Sequence, residues 1–192
     1  MTSEREQELR KVTIGEPWRA DGPINLVDYD SAWPALYERE AERIRGGALG
    51  DRARLLEHAG STSVPGLTAK PTIDIVLAVP DSSDESAYVP ALEAAGYVLR
   101  IREPDWYEHR LFKGPDTNVN LHVFSEGCEE ITRMLAFRDR LRTNEADREL
   151  YERKKRELAA RKWEFVQDYA DAKTEVVEEI VARAESLEVR ED

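Results

Sequence analysis

The period of the apolar positions changes along the chain, and the changes divide it. Residues 1–22 carry scattered apolar side chains in a mixed-charge background and lead into Gly22-Pro23, the pattern of a mobile or loosely docked leader. From Ile24 the apolar density rises. Residues 24–27 read as a short strand, and Asp30 or Ser31 is placed to cap a helix over about 32–45 that Gly46-Gly47 ends. Residues 54–59 and the nearly continuous β-branched run 72–79 predict two strands joined by a loop over 60–70. The second is expected to be central, since apolarity on both faces suits a strand covered on both sides. A helix over about 85–95, stopped by Gly96, precedes strands predicted at 97–102, 107–113 and 118–124. From Glu129 the chain reads as helices, over about 129–142, 145–162 and 165–187, with Thr143 or Asn144 as the middle break. The expected class is α+β: a leader over 1–22, a mixed α/β core over 23–128, and a C-terminal helical segment over 129–192 packed on that core.

Composition narrows the possibilities. With 192 residues the chain is long enough for one domain that buries ~70% of the surface its unfolded form exposes. No window approaches the ~20 apolar residues of a membrane span, and no basic stretch followed by an apolar one opens the chain, so a cytoplasmic location is expected. The single Cys128 excludes an intramolecular disulfide and zinc sites built on several cysteines. Forty acidic against 28 basic residues give a formal charge of -12, which disfavours long nucleic acid as a partner. A local phosphate site is still compatible with that balance.

The richest chemistry lies in the turn between the first two core strands. Gly60, Ser61, Thr62 and Ser63 offer close backbone approach and hydroxyl donors, which suits a phosphate as well as an ordinary polar turn. Asp74, a carboxylate in an otherwise apolar strand, needs a cation or an exposed strand end, and Mg²⁺ bridging to phosphate would supply the former. In the tail, Lys173 is centred on a helical stripe of Val166, Tyr169, Val176, Val177 and Ile180, and Arg138 is centred among Ile131, Met134, Leu135 and Leu141. Each either snorkels or meets a structural carboxylate, or points into a site holding negative charge. Residues 133–162 hold eleven basic against six acidic residues, a solvated face or half of an anion cleft. His58, His109 and His122 all fall in predicted strands, where core roles are the commoner use. Spacing supports neither a zinc site nor a Ser-His-Asp arrangement, and the glycine-rich dinucleotide and P-loop motifs are absent.

Several separated blocks together resemble the GrpB family, a group itself likened to the nucleotidyltransferase fold. They are Tyr29-Asp30 with Ala32-Trp33-Pro34, residues 58–75, His109-Arg110-Leu111-Phe112, Asn120-Leu121-His122-Val123, Leu135-Ala136-Phe137-Arg138-Asp139, Tyr151 with Lys155, and Tyr169 with Lys173. The resemblance implies a mixed sheet of nucleotidyltransferase type flanked by helices, with nucleotide phosphates at the turn after the second strand. In that fold two carboxylates one position apart hold divalent metal, and here Asp74 is followed at the second position by Val76. By resemblance Asp74, His122 and Glu57 form a one-metal set. Gly60, Ser61, Thr62, Ser63 and Lys70 then hold phosphates, Arg138 and Lys173 clamp the triphosphate or the acceptor, and His109, Arg110 and Tyr169 line the cleft. The implied ligands are ATP or another nucleoside triphosphate, Mg²⁺ and a small-molecule acceptor that receives a nucleotidyl group or is activated as an adenylate. A nucleotide- or ligand-binding module without transfer is the alternative that Val76 favours, and a metal-dependent hydrolase using the histidines is a third reading.

Overall fold

The computed structural model describes residues 2–20 and 22–188. Five strands, β1 (Leu55–Ala59), β2 (Ile73–Val79), β3 (Val98–Glu103), β4 (His109–Lys113) and β5 (Val119–Ser125), form one mixed sheet in the order β1-β2-β5-β4-β3. Only β2 and β5 run parallel; every other neighbour is antiparallel. The continuous apolar run does become a central strand. Ile73, Ile75, Leu77 and Val79 point to one face, where Leu121, Val123 and Phe112 join them in a buried layer. Burying each such side chain contributes roughly 1.5–3 kcal/mol. This layer is covered by α2 (Trp33–Glu42), the helical stretch that continues it and α3 (Val89–Ala94), through Trp33, Ile44 and Leu92 respectively.

The opposite face carries the polar row. Side chains alternate along a strand, so the register sets Glu57, Ala59, Asp74, Val76, Asn120, His122, Leu111 and Lys113 on one side. Over the β1 end of this side lie α4 (Glu129–Thr143), α5 (Glu145–Ala159) and α7 (Thr174–Glu188), whose cores interlock through Leu141, Tyr151, Val176 and Ile180. The α+β class with a helical C-terminal segment is therefore the observed architecture.

Four local expectations change. The leader is docked: α1 (Glu4–Val12) is capped by Ser3, buries Leu9, and ties Arg5 to Asp168 at 2.8 Å and to Asp171. Thr13 then bridges Ile101 at the sheet edge, and Arg19 bridges Phe165. Each exposed ion pair is worth only ~0–1 kcal/mol, so docking rests on the set together with the strand-like bridges. Residues 24–27 form no strand; Val27 makes a single bridge to Ala69, while Ile24 and Leu26 pack against Leu158 and Tyr169. Gly46-Gly47 do not end the helix after α2. It widens into a π-helical stretch, Arg43–Leu49, that buries Ile44 and Leu49. The last predicted helix is two, α6 (Val166–Asp171) and α7, with Lys173 in the turn between them.

Candidate functional site

Gly60 turns the chain out of β1 with φ 64° and ψ -174°, a conformation open essentially to glycine alone, and a 3₁₀ turn over Ser61–Ser63 follows. Within that turn the hydroxyls divide. Thr62 donates to the Thr72 carbonyl at 3.1 Å and meets His58 Nε2 at 3.0 Å, and Ser63 donates to the Gly60 carbonyl at 2.6 Å. Both are spent on building the turn. Ser61 is the one that faces the helices: its Oγ accepts from Lys155 Nζ at 3.2 Å.

Asp74 opens β2 beside this turn. Its Oδ1 accepts from Asn120 Nδ2 at 2.9 Å, and His122 Nε2 stands 3.8 Å away. Burial pushes its pKa up, while the bond from Asn120 and the field of Lys70 pull it down; the net direction is down and Asp74 is ionised. Around Asp74 and Ser61 stand four lysines. Lys70 and Lys173 are held below the usual lysine range by burial, against the opposing pull of Asp74. Lys113 is lowered to about 8 by burial and by Lys70, and its Nζ donates to Asn118 at 3.0 Å and Asn120 at 2.8 Å. Lys155, 2% exposed, is lowered to about 7 by burial and by Lys173, and donates to Ser61 and the Thr68 carbonyl. Among the described residues the only lysine within ion-pairing distance of a carboxylate is Lys154, with Glu157 on the surface of α5. Lys70, Lys113 and Lys173 thus feel one carboxylate, Asp74, and Lys155 joins them through Ser61, none of the four lying within ion-pairing distance of a carboxylate. Next to them Tyr169 Oη is the single buried side-chain polar atom, among the described residues, that lacks a hydrogen-bond partner, and Lys173 Nζ lies 4.6 Å over its ring. Buried cations and an orphaned hydroxyl in one place are costly unless an anionic ligand completes them.

A second polar line crosses the sheet. Glu103 Oε2 meets His109 Nδ1 at 2.7 Å, and His109 Nε2 meets His122 Nδ1 at 3.1 Å. Burial lowers His109 to about 4 against the pull of Glu103, so its ring is neutral at pH 7. The chain Glu103, His109, His122 therefore ends at His122 Nε2, beside Asp74.

The family model described as GrpB protein matches residues 23–183. The chain belongs to the GrpB family. It is 59% identical to a UPF0157 protein of Halalkalibacterium halodurans over 95% of this chain and 93% of that one. It is also 48% identical to a UPF0157 protein of Streptomyces coelicolor, with 84% of each chain covered. The crystal structure of the conserved protein GrpB from Enterococcus faecalis is similar with a TM-score of 0.69 and 28% identity, over 83% of this chain and 96% of that chain.

Within this GrpB chain, Gly60, Ser61, Lys70, Asp74, His122, Tyr169 and Lys173 come together as the sequence suggested. Arg138 does not join them as a free donor. Nε and Nη2 bond Asp139 at 2.7 and 3.1 Å, while Nη1 bonds Glu57 at 2.8 Å and the His58 carbonyl at 3.0 Å. It is a buried structural cation with satisfied partners, and Glu57 is thereby occupied rather than turned to a metal. Arg110 points through the opposite face of the sheet to Glu85, at 2.6 Å, because it alternates with His109 and Leu111. Among the described residues no group of three or more His, Cys, Asp and Glu side chains is placed to hold a metal ion. Sequence reasoning assigned Lys113 and Lys155 no site role, although Lys155 stands with Tyr151 in one of the family-like blocks. A signal existed for Lys155, since Tyr151, Leu158 and Ala159 at positions -4, +3 and +4 are all buried.

Proposed function

We propose that this GrpB-family chain binds the phosphates of a nucleoside triphosphate among Lys70, Lys113, Lys155, Lys173 and Ser61, and transfers the nucleotidyl group to a small acceptor. The observation that carries the reading is the convergence of four lysines without carboxylate partners on Ser61 and Asp74. A triphosphate carries about as many negative charges as the lysines carry positive ones, and buried lysines hold phosphate as compact point charges. Tyr169 Oη and Ser61 Oγ would complete the phosphate oxygens' hydrogen bonds.

Mg²⁺ commonly binds through one or two carboxylates plus substrate phosphates, so Asp74 with phosphate oxygens is a donor set that suits it. His122 Nε2 is not part of that set. Mg²⁺ prefers oxygen ligands, and among the described residues no third His, Cys, Asp or Glu side chain joins Asp74 and His122. When bound, the ion would neutralise and orient the phosphates. The protein's own contribution is positional. Lysines and Ser61 fix the phosphates, and His122 Nε2 accepts the proton of an acceptor hydroxyl. As that oxygen bonds to the α-phosphorus, the bond from phosphorus to the pyrophosphate oxygen breaks. Val76 at the second acidic position favours a second reading, a nucleotide-binding module without transfer.

Calorimetric titration with a non-hydrolysable ATP analogue, with and without Mg²⁺ and against Asp74→Asn, tests the proposal. Binding that needs Lys155 and is strengthened by Mg²⁺ through Asp74 supports transfer. Binding indifferent to Mg²⁺ and Asp74 supports the module. Absence of binding under every condition removes the nucleotide.

A further inference from the structure

The polar line from Glu103 to His122 does not end in packed protein. His109 and His122 form the inner wall of a cavity of about 570 Å³, within the range of small-molecule sites. One side of the cavity is the sheet, through Ile101 and Leu111; another is α4, through Glu130 and Met134. The roof is the N-terminal segment, with Leu9, Val12 and Trp18, and lies outside the stretch 23–183 that the family model matches. The docked leader therefore completes a pocket that the family domain alone leaves open.

The chemistry of the lining is specific. Trp106 stands at the mouth, 43% exposed, edge-on to His109 and Phe124 at 5.2 and 5.9 Å. It is presented by a hairpin in which Tyr107 and Glu108 both have positive φ, 51° and 50°, a conformation that costs non-glycine residues energy and recurs at ligand clamps. Four carboxylates, Glu8, Glu103, Glu130 and Asp171, line the cavity against one lining cation, Arg5, which bonds both Glu8 and Asp171; Arg133, outside the lining, lies 3.5 Å from Glu130, and the balance is still negative. An aromatic wall in a negatively charged cavity selects a cation with an apolar body. It rejects the phosphates that the lysine cluster a few side chains away is built to attract. His122 belongs to both places, lining the cavity and standing beside Asp74.

We propose that this cavity binds a small molecule with an aromatic or aliphatic body and a protonated amine, and that such a molecule carrying a hydroxyl is the acceptor. The second half rests on the nucleotidyl-transfer reading; binding of the amine does not. Its hydroxyl would reach His122 from the cavity side while the phosphates lie on the lysine side.

The test uses three probes of one shape, tryptamine, tryptophol and indole-3-propionate, titrated calorimetrically into the full chain without nucleotide. Tryptamine is expected to bind at least about tenfold more tightly than the carboxylate, with the neutral alcohol between them. Trp106→Ala, at a partly exposed position, should abolish the heat while leaving the thermal unfolding cooperative. Glu130→Gln should weaken tryptamine and leave tryptophol unchanged. Equal affinity for the three probes, no binding of any, or tryptamine binding that survives Trp106→Ala overturns the proposal. An ATP analogue that fails to bind while tryptamine still does would remove the acceptor role and leave the amine site standing.

Discussion

Gly60 and Asp74 are in such close contact that no side chain fits between them. A Cβ built at residue 60 lies 2.3 Å from Asp74 Oδ2 and 2.9 Å from Asp74 Cβ. The turn that presents Ser61 thus exists only with glycine, and the same contact holds the carboxylate against Asn120. Gly60→Ala should cost about 2 kcal/mol or more, from backbone strain plus displacement of Asp74. Gly66→Ala is the control: φ there is +78° but nothing lies within 4 Å of the added atom, so strain alone of about 1 kcal/mol is expected. Urea denaturation of both variants measures the difference. Equal destabilisation would show that Asp74 moves aside freely.

Lys173 sits in the turn between α6 and α7 with the Tyr169 ring beneath its ammonium and no carboxylate partner. An apolar residue suits that environment better in the free protein, because burying an unpaired charge is unfavourable. Lys173→Met should raise stability by roughly 1 kcal/mol, or about 2–4 °C in Tm for a chain of this size. The same variant should weaken triphosphate binding at least about tenfold, a gain in one assay against a loss in the other. A lowered Tm would identify Lys173 as a structural residue.

The depressed lysines make both stability and binding depend on pH. Lys155 titrates near 7 and Lys113 near 8 in the folded chain, against 10.5 for an unperturbed lysine. Below pH 7 folded and unfolded chains are both protonated, and the full cost of burying the cations is present. Between pH 7 and 10.5 the unfolded chain binds more protons, so this contribution to stability rises with pH and levels off above 10.5. Lys155→Met should flatten part of that slope in denaturation curves taken between pH 7 and 10. A phosphate ligand favours the charged forms and should pull protons on. At pH 8, titrations in buffers of different ionisation enthalpy should report uptake of about one to one and a half protons per triphosphate. Buffer-independent heats would mean that the lysines are already charged.

How much of this was legible follows from what each residue needed to be noticed. Asp74 stood out because a charge in a run of β-branched residues is an anomaly in one dimension, and Lys173 because a wheel places it among apolar side chains. Arg138 passed the same wheel test for another reason, since its partners Glu57 and the His58 carbonyl come from a strand eighty residues away. A wheel cannot tell a satisfied cation from a free one. Lys113 gave no signal because β4 is buried on both faces and alternation carries no contrast there. Lys155 was hidden inside a long basic run, although its i-4 and i+3 neighbours are core. The leader looked loose because its apolar content is low; ion pairs to α6 and β-bridges to residues far away in sequence dock it.

The line from Glu103 to His122 also fixes a proton count. The 2.7 Å contact between Glu103 and His109 Nδ1 requires a proton on that nitrogen, since two acceptors would repel. His109 is neutral at pH 7, so its Nε2 carries none and must accept from His122 Nδ1–H at 3.1 Å. A neutral His122 then has its lone pair on Nε2, which at 3.8 Å from Asp74 makes no hydrogen bond to that carboxylate, itself bonded by Asn120, and is open to an acceptor's proton. Long-range ¹H–¹⁵N spectra at pH 7.5 should accordingly show His122 as the Nδ1–H tautomer and His109 likewise. Glu103→Leu removes the anchoring acceptor, and both rings should shift toward the Nε2–H form common in unconstrained histidine. If His122 is already an Nε2–H tautomer in the unmodified protein, it points a donor at Asp74 instead, and its assignment as the proton acceptor is lost.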